Sequence, residues 1–130
     1  VGSEMCIRDR YYERKRRHGL SQRELNLLLG KPEESAYNIL LAHNPRFTDA
    51  YLDWGADLAL SGHYHGGMVR LPFTNGLISP YMTLFPKYCH GLFTKEGKYA
   101  VVSAGMGEHT IPLRIFNPRE MLVIRLKPEV

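Results

Sequence analysis

LALSGHYHGGMV, residues Leu58–Val69, is an apolar run that stops at a glycine, presents two histidines one residue apart and closes on two more glycines. The run Asp57–Ser61 predicts a buried strand. Upstream, YNILLA at Tyr37–Ala42 is too short and too continuously apolar for a surface helix, and suits a strand covered on both faces. Between the two, Asn44-Pro45 predicts a helix N-cap with proline at the first helical position. Phe47, Ala50, Tyr51 and Trp54 follow at i, i+3, i+4 and i+7, one apolar helical face, and Gly55 ends it. The pattern is strand, helix, strand, with His43 after the first strand and His63 after the second. The fold class this predicts is α/β, and the carboxyl ends of such strands are where α/β sheets build their sites.

Outward from this unit, Ser21-Gln-Arg-Glu24 is a capping box, and the leucines after it predict a short helix closed by Gly30 and Pro32. Residues 71–88 hold three prolines and one Asn-Gly, which predicts a long irregular loop. Residues 91–105 alternate around Glu96-Gly97 as a hairpin does, and EMLVIRLKP, residues 120–128, reads as a last strand. The first ten residues have neither an apolar period nor a signal-peptide layout. They are expected to be a junction segment outside the fold, with the chain beginning in mid-protein.

The chain has 130 residues, enough for one domain with a core, and its 44% hydrophobic and 23% charged content is that of a globular protein rather than a disordered one. No window approaches the ~20 apolar residues of a membrane span. Cys6 and Cys89 match no zinc or redox spacing and are expected to be free thiols. The net charge of +4 sits at one end: residues 1–23 carry seven Lys or Arg against three acids, and the rest is balanced. The basic run Glu13–His18 reads as a solvated arm, and nucleic acid is not an expected partner.

His63 and His65 converge on one side if their segment stays extended, because side chains at i and i+2 share a face, with Tyr64 opposite. Such a pair can serve one metal ion, or two ions ~3.5–4 Å apart. Gly62, Gly66 and Gly67 let the backbone turn sharply beside a ligand. His18, His90 and His109 carry no such context and are expected to be surface or hydrogen-bonded residues.

ILLAHNP, followed some twenty residues later by SGHYHGG, resembles the last two motifs of the calcineurin-like metallophosphoesterases. The downstream SAGMGEHTIPLRIFNPREMLVIRL is similar to the C-terminal pattern of a bacterial single-domain branch, a Gly-x-Gly turn followed by Pro-x-Arg and a final strand. The resemblance runs from Tyr37 to about Lys127. It implies that residues 11–130 form the C-terminal part of a four-layer α/β/β/α sandwich, with the two parallel strands in one sheet and the hairpin in the other. It implies a phosphoester hydrolase using two divalent metal ions (Mn, Fe or Zn): His43 and His63 on one ion, His65 on the other, and a small phosphoester as substrate. Arg114 is a candidate for contacting the substrate phosphate through its fork of donors. Asn44 and Tyr64 are expected to act as a cap and a packing residue.

Branch members commonly have threonine between the histidines and glutamine after the paired glycines; Tyr64 and Met68 stand there in this sequence. The family's earlier motifs, Asp-x-His, Gly-Asp and Gly-Asn-His-Glu, are absent from these 130 residues. The chain is therefore expected to be inactive alone. The alternative is a non-catalytic metal- or nucleic-acid-binding module with a basic N-terminal arm. Localisation is open between cytoplasm and a membrane-associated full-length protein.

Overall fold

The computed structural model describes residues 19–67, 69–70, 77, 84–107 and 114–128. The junction segment, the basic arm up to His18, Cys6, Met68, His109, Pro112 and most of the expected loop lie outside them. Helix α1 (Gln22–Leu29) starts at the predicted capping box: the Ser21 side chain accepts from the Glu24 amide, and the Glu24 carboxylate accepts from the Ser21 amide at 2.9 Å. Strand β1 (Ile39–Leu41) leads to Asn44, whose side chain accepts from the Arg46 amide at the head of a 3-10 turn, Pro45–Phe47. Helix α2 (Thr48–Trp54) then runs into β2 (Leu58–Ser61), and the hairpin β3 (Gly91–Lys95) and β4 (Lys98–Val102) follows. Glu96 and Gly97 at the hairpin tip both take positive φ, the backbone that a two-residue turn between twisted strands requires.

The strands form one mixed sheet in the order β1-β2-β4-β3, with β1 and β2 parallel, β2 and β4 parallel, and β3 and β4 antiparallel. The class is α/β, as expected, but the hairpin is not in a separate sheet. Ala100 and Val102 of β4 point to the same side as Ala59 of β2 and share its buried layer, and the register Ala59↔Ala100 lets the backbones pair along their whole length. The ladder continues past the strand ends, from the Tyr99 amide to the Asp57 carbonyl and from the Ser103 amide to the Ser61 carbonyl.

The helices cover one face of this sheet. Leu25, Tyr51, Leu52, Trp54 and Ala56 pack with Leu40, Ala59 and Ala100 as a single core. Polar ends are tied off at its rim: the Trp54 indole donates to the Gly30 carbonyl at 3.0 Å and Lys98 Nζ donates to the Leu52 carbonyl at 2.7 Å. Cys89 is a free, fully buried thiol, and burial pushes its pKa up to about 11. No helix among the described residues is long and apolar enough to cross a membrane.

Two expectations are corrected. β1 is not covered on both faces: Ile39 and Leu41 point away from the helices and remain 47% and 57% exposed. β1 is the sheet's outer strand, and the helical layer reaches only its Leu40 side. Residues 120–128 form no strand, because no described strand lies beside them to complete a ladder; Met121 and Val123 stand in solvent.

Candidate metal centre

Parallel pairing of β1 with β2 puts the residues after each strand side by side. The Gly62 amide donates to the His43 carbonyl at 3.0 Å, and the His43 and His63 rings meet edge to face with centroids 5.0 Å apart. Adjacent imidazoles of this kind are suitable nitrogen donors for one transition-metal ion.

The chain then leaves the extended conformation. His63 (φ 60°) and His65 (φ 48°) are both left-handed, as are Gly66 and Gly67, and the Tyr64 amide folds back onto the Gly62 carbonyl at 2.6 Å. The same-side rule for an extended His-x-His therefore does not govern this segment. Tyr64 is buried, in keeping with a packing role. The His65 ring lies against a different wall, the turn at 104–107, where a Cβ added to Gly107 would sit 3.4 Å from His65 Cε1.

Arg114 reaches this wall as well. Its Nη2 donates to the carbonyls of Ala104 (3.1 Å) and Gly107 and lies 3.4 Å from His65 Nδ1. Nη2 carries two hydrogens, both given to these carbonyls, so its approach to Nδ1 is a close contact that fixes no tautomer of His65. The fork of donors proposed from sequence for a phosphate is thus directed at backbone carbonyls beside His65.

Two side chains that brace this region escaped the sequence reading. Asn117, 3% exposed, donates from Nδ2 to the carbonyl of His65 and, at 2.7 Å, to that of Gly67. Glu120 Oε1 accepts from the Ala104 amide at 2.8 Å, while Oε2 meets His90 Nε2 at 2.9 Å. Arg70 occupies His90 Nδ1 at 2.8 Å and can only donate, so the Nε2 hydrogen of His90 points to Glu120. His90 is thereby a hydrogen-bonded residue, as expected. No local motif announces these contacts, since they join positions 16 to 52 residues apart.

Burial raises the Glu120 pKa, but the hydrogen bonds from His90 and Ala104 and the nearby Arg70 charge outweigh it, leaving the carboxyl below its ordinary range. A depressed folded-state pKa gives stability that is present above the unfolded value, roughly 4.3, and lost as pH falls through the folded one. The stability advantage of the wild type over Glu120→Gln is therefore expected to be larger at pH 7 than at pH 3. Urea unfolding of both proteins at the two pH values measures it; an advantage that is constant, or larger in acid, would contradict the network.

Among the described residues no group of three or more His, Cys, Asp or Glu is gathered closely enough to hold a metal ion. The donors present, two neighbouring imidazoles with a third on the adjoining wall, fit part of a coordination sphere. An all-imidazole set lacks the negative charge that would hold two dications close together.

With this geometry in view, comparison with curated proteins shows what the chain is similar to. An uncharacterised metallophosphoesterase of Bacillus subtilis, YkuE, is 32% identical over 78% of this chain and 38% of its own length. An uncharacterised metallophosphoesterase of Helicobacter pylori strain J99 is 35% identical over 98% of this chain and 33% of its own. A UDP-2,3-diacylglucosamine pyrophosphatase of Chlamydia muridarum, LpxG, is 32% identical over 67% of this chain and 28% of its own. The chain belongs to the calcineurin-like metallophosphoesterase superfamily. It spans about a third of the length of the curated relatives it matches first. No protein-family model and no solved structure matches it.

Proposed function

We propose that this chain supplies the imidazole side of a metal-dependent phosphoester hydrolase. The observation that carries the reading is the 5.0 Å approach of the His43 and His63 rings at the ends of neighbouring parallel strands. On this reading His43 and His63 hold one divalent ion and His65 contributes to a second. Bound metal of this kind lowers the pKa of a coordinated water toward neutrality and offsets charge on phosphoryl oxygens. The chain's own residues hold the imidazoles in place: Gly62 and the β1–β2 pairing fix the first two, and the wall at 104–107 fixes the third. The substrate class is a phosphodiester or other small phosphorylated molecule, a class that includes the pyrophosphate linkage named for the chlamydial relative.

Three imidazoles without a bridging carboxylate do not keep two dications together, so the chain alone is inactive on this reading. The test is hydrolysis of bis-p-nitrophenyl phosphate with Mn²⁺. The chain is expected to give no turnover above Mn²⁺ itself. A polypeptide joining it to the part of B. subtilis YkuE outside the matched span is expected to turn over, and to lose that activity on His63→Ala. Two results contradict the reading: turnover by the chain at the rate of a complete dinuclear enzyme, or a joined protein indifferent to residue 63.

A further inference from the structure

We propose that Asn117 is the positioning residue for His65, an inference that rests on the ligand role given to His65 above. The backbone at residues 65–67 is left-handed throughout, a conformation that non-glycine residues adopt at a cost of about 1–2 kcal/mol. Something must hold it there. The carbonyls of His65 and Gly67 both turn toward Asn117, whose Nδ2 carries two hydrogens and gives one to each. The reverse orientation of the amide would set its oxygen against two carbonyl oxygens, so the donor assignment follows from chemistry.

The other half of the amide explains Gly66. A Cβ at that position would lie 2.4 Å from Asn117 Oδ1. Oδ1 itself is buried with no hydrogen-bond partner among the described residues. The amide is thus wedged over a glycine and kept for its two N–H groups. Its own segment is anchored on both sides, by the Arg70 amide on the Ile115 carbonyl at 3.0 Å and the Glu120 amide on the Gly105 carbonyl at 3.2 Å. Removing the two donors releases the His65 carbonyl, and residue 65 can relax to ordinary φ and turn its imidazole off the wall at 104–107.

Only an amide of this length satisfies both carbonyls. An aspartate in its place would present a carboxylate to two carbonyl oxygens, and an alanine would leave both unpaired in a buried site. Loss of a group that orients a ligand typically weakens metal binding 10–100-fold.

The experiment uses the full 130-residue chain, comparing wild type, Asn117→Ala and Asn117→Ser by NMR of the histidine rings and backbone amides. The Trp54 indole, hydrogen-bonded in the distant helical layer, reports whether the fold is intact. With that signal retained, the His65 ring and the Gly66 and Gly67 amides are expected to shift in Asn117→Ala while the His43 and His63 rings do not. Zn²⁺, which is diamagnetic and shifts the rings it binds, is then titrated into each protein; the His65 ring is expected to need at least tenfold more Zn²⁺ in the variant than in the wild type, with the His43 and His63 midpoints unchanged. If Asn117→Ala loses the Trp54 signal, the same comparison is made with Asn117→Ser, which keeps one donor. A folded variant in which the His65 ring stays as unchanged as that of His43 overturns the inference. A wild type in which Zn²⁺ shifts no histidine ring overturns the ligand reading instead, and is distinguishable because the His65 shift without metal is read separately.

Discussion

Gly66→Ala is expected to lower the unfolding free energy by about 2–5 kcal/mol, against about 1 kcal/mol for Gly97→Ala. Both glycines have similar left-handed φ, +74° and +78°, so the backbone part of the penalty is shared. The surroundings differ. A Cβ at Gly97 meets nothing within 4 Å, whereas at Gly66 it would meet three atoms of the Asn117 amide at 2.4–3.0 Å. That amide is buried and bonded at its other end, so it moves only by giving up hydrogen bonds to the carbonyls of residues 65 and 67. Urea unfolding with unchanged slope gives the comparison directly. Equal losses for the two variants would mean that Asn117 does not grip the histidine loop.

Leu52→Ala is expected to cost about 2–5 kcal/mol, the range for emptying a packed leucine site. Leu52 is 1% exposed at the centre of the layer joining α2 to the sheet. The helices around it are only eight and seven residues long and depend on packing rather than on their own cooperativity. Leu27→Ala, on the 81% exposed side of α1, provides the contrast and should stay within about 0.5 kcal/mol of wild type. Thermal or urea unfolding of the pair tests this; similar losses at both positions would remove Leu52 from the core.

Leu52 also shows where sequence periodicity misses. Counting from Phe47 gives Ala50, Tyr51 and Trp54 as the inward face. The residues from Pro45 to Phe47 form a 3-10 turn, however, and the α-helix starts at Thr48. Tyr51 and Trp54 are buried as expected, but Thr48 and Leu52 complete the buried set in place of Phe47 and Ala50, which are half-buried at its margin.

Features written in neighbouring residues were legible. The Ser21–Glu24 box, the Asn44-Pro45 turn and the Glu96-Gly97 hairpin are local chemistry, and each forms where it was expected. The histidines at the ends of two parallel strands were legible too, because strand-helix-strand connectivity brings those ends together. Long-range partners were not. Alternation along Lys98–Val102 predicts a strand but does not say which edge it joins, and pairing with β2 depends on Ala59 and Ala100 fitting the same layer. The left-handed turn at His63 and His65 was hidden for the same reason, since its supports are Asn117 and Arg114, about fifty residues downstream. In residues 120–128 the apolar run expresses a propensity that only a neighbouring strand can convert into structure.

The positive φ values at His63 and His65 set two demands on the polypeptide against each other. A library selected only for thermal resilience would favour glycine or asparagine at both positions, since those residues relieve the backbone. Such winners would be sturdier and chemically blank, because relief at these two positions is obtained by discarding the imidazoles.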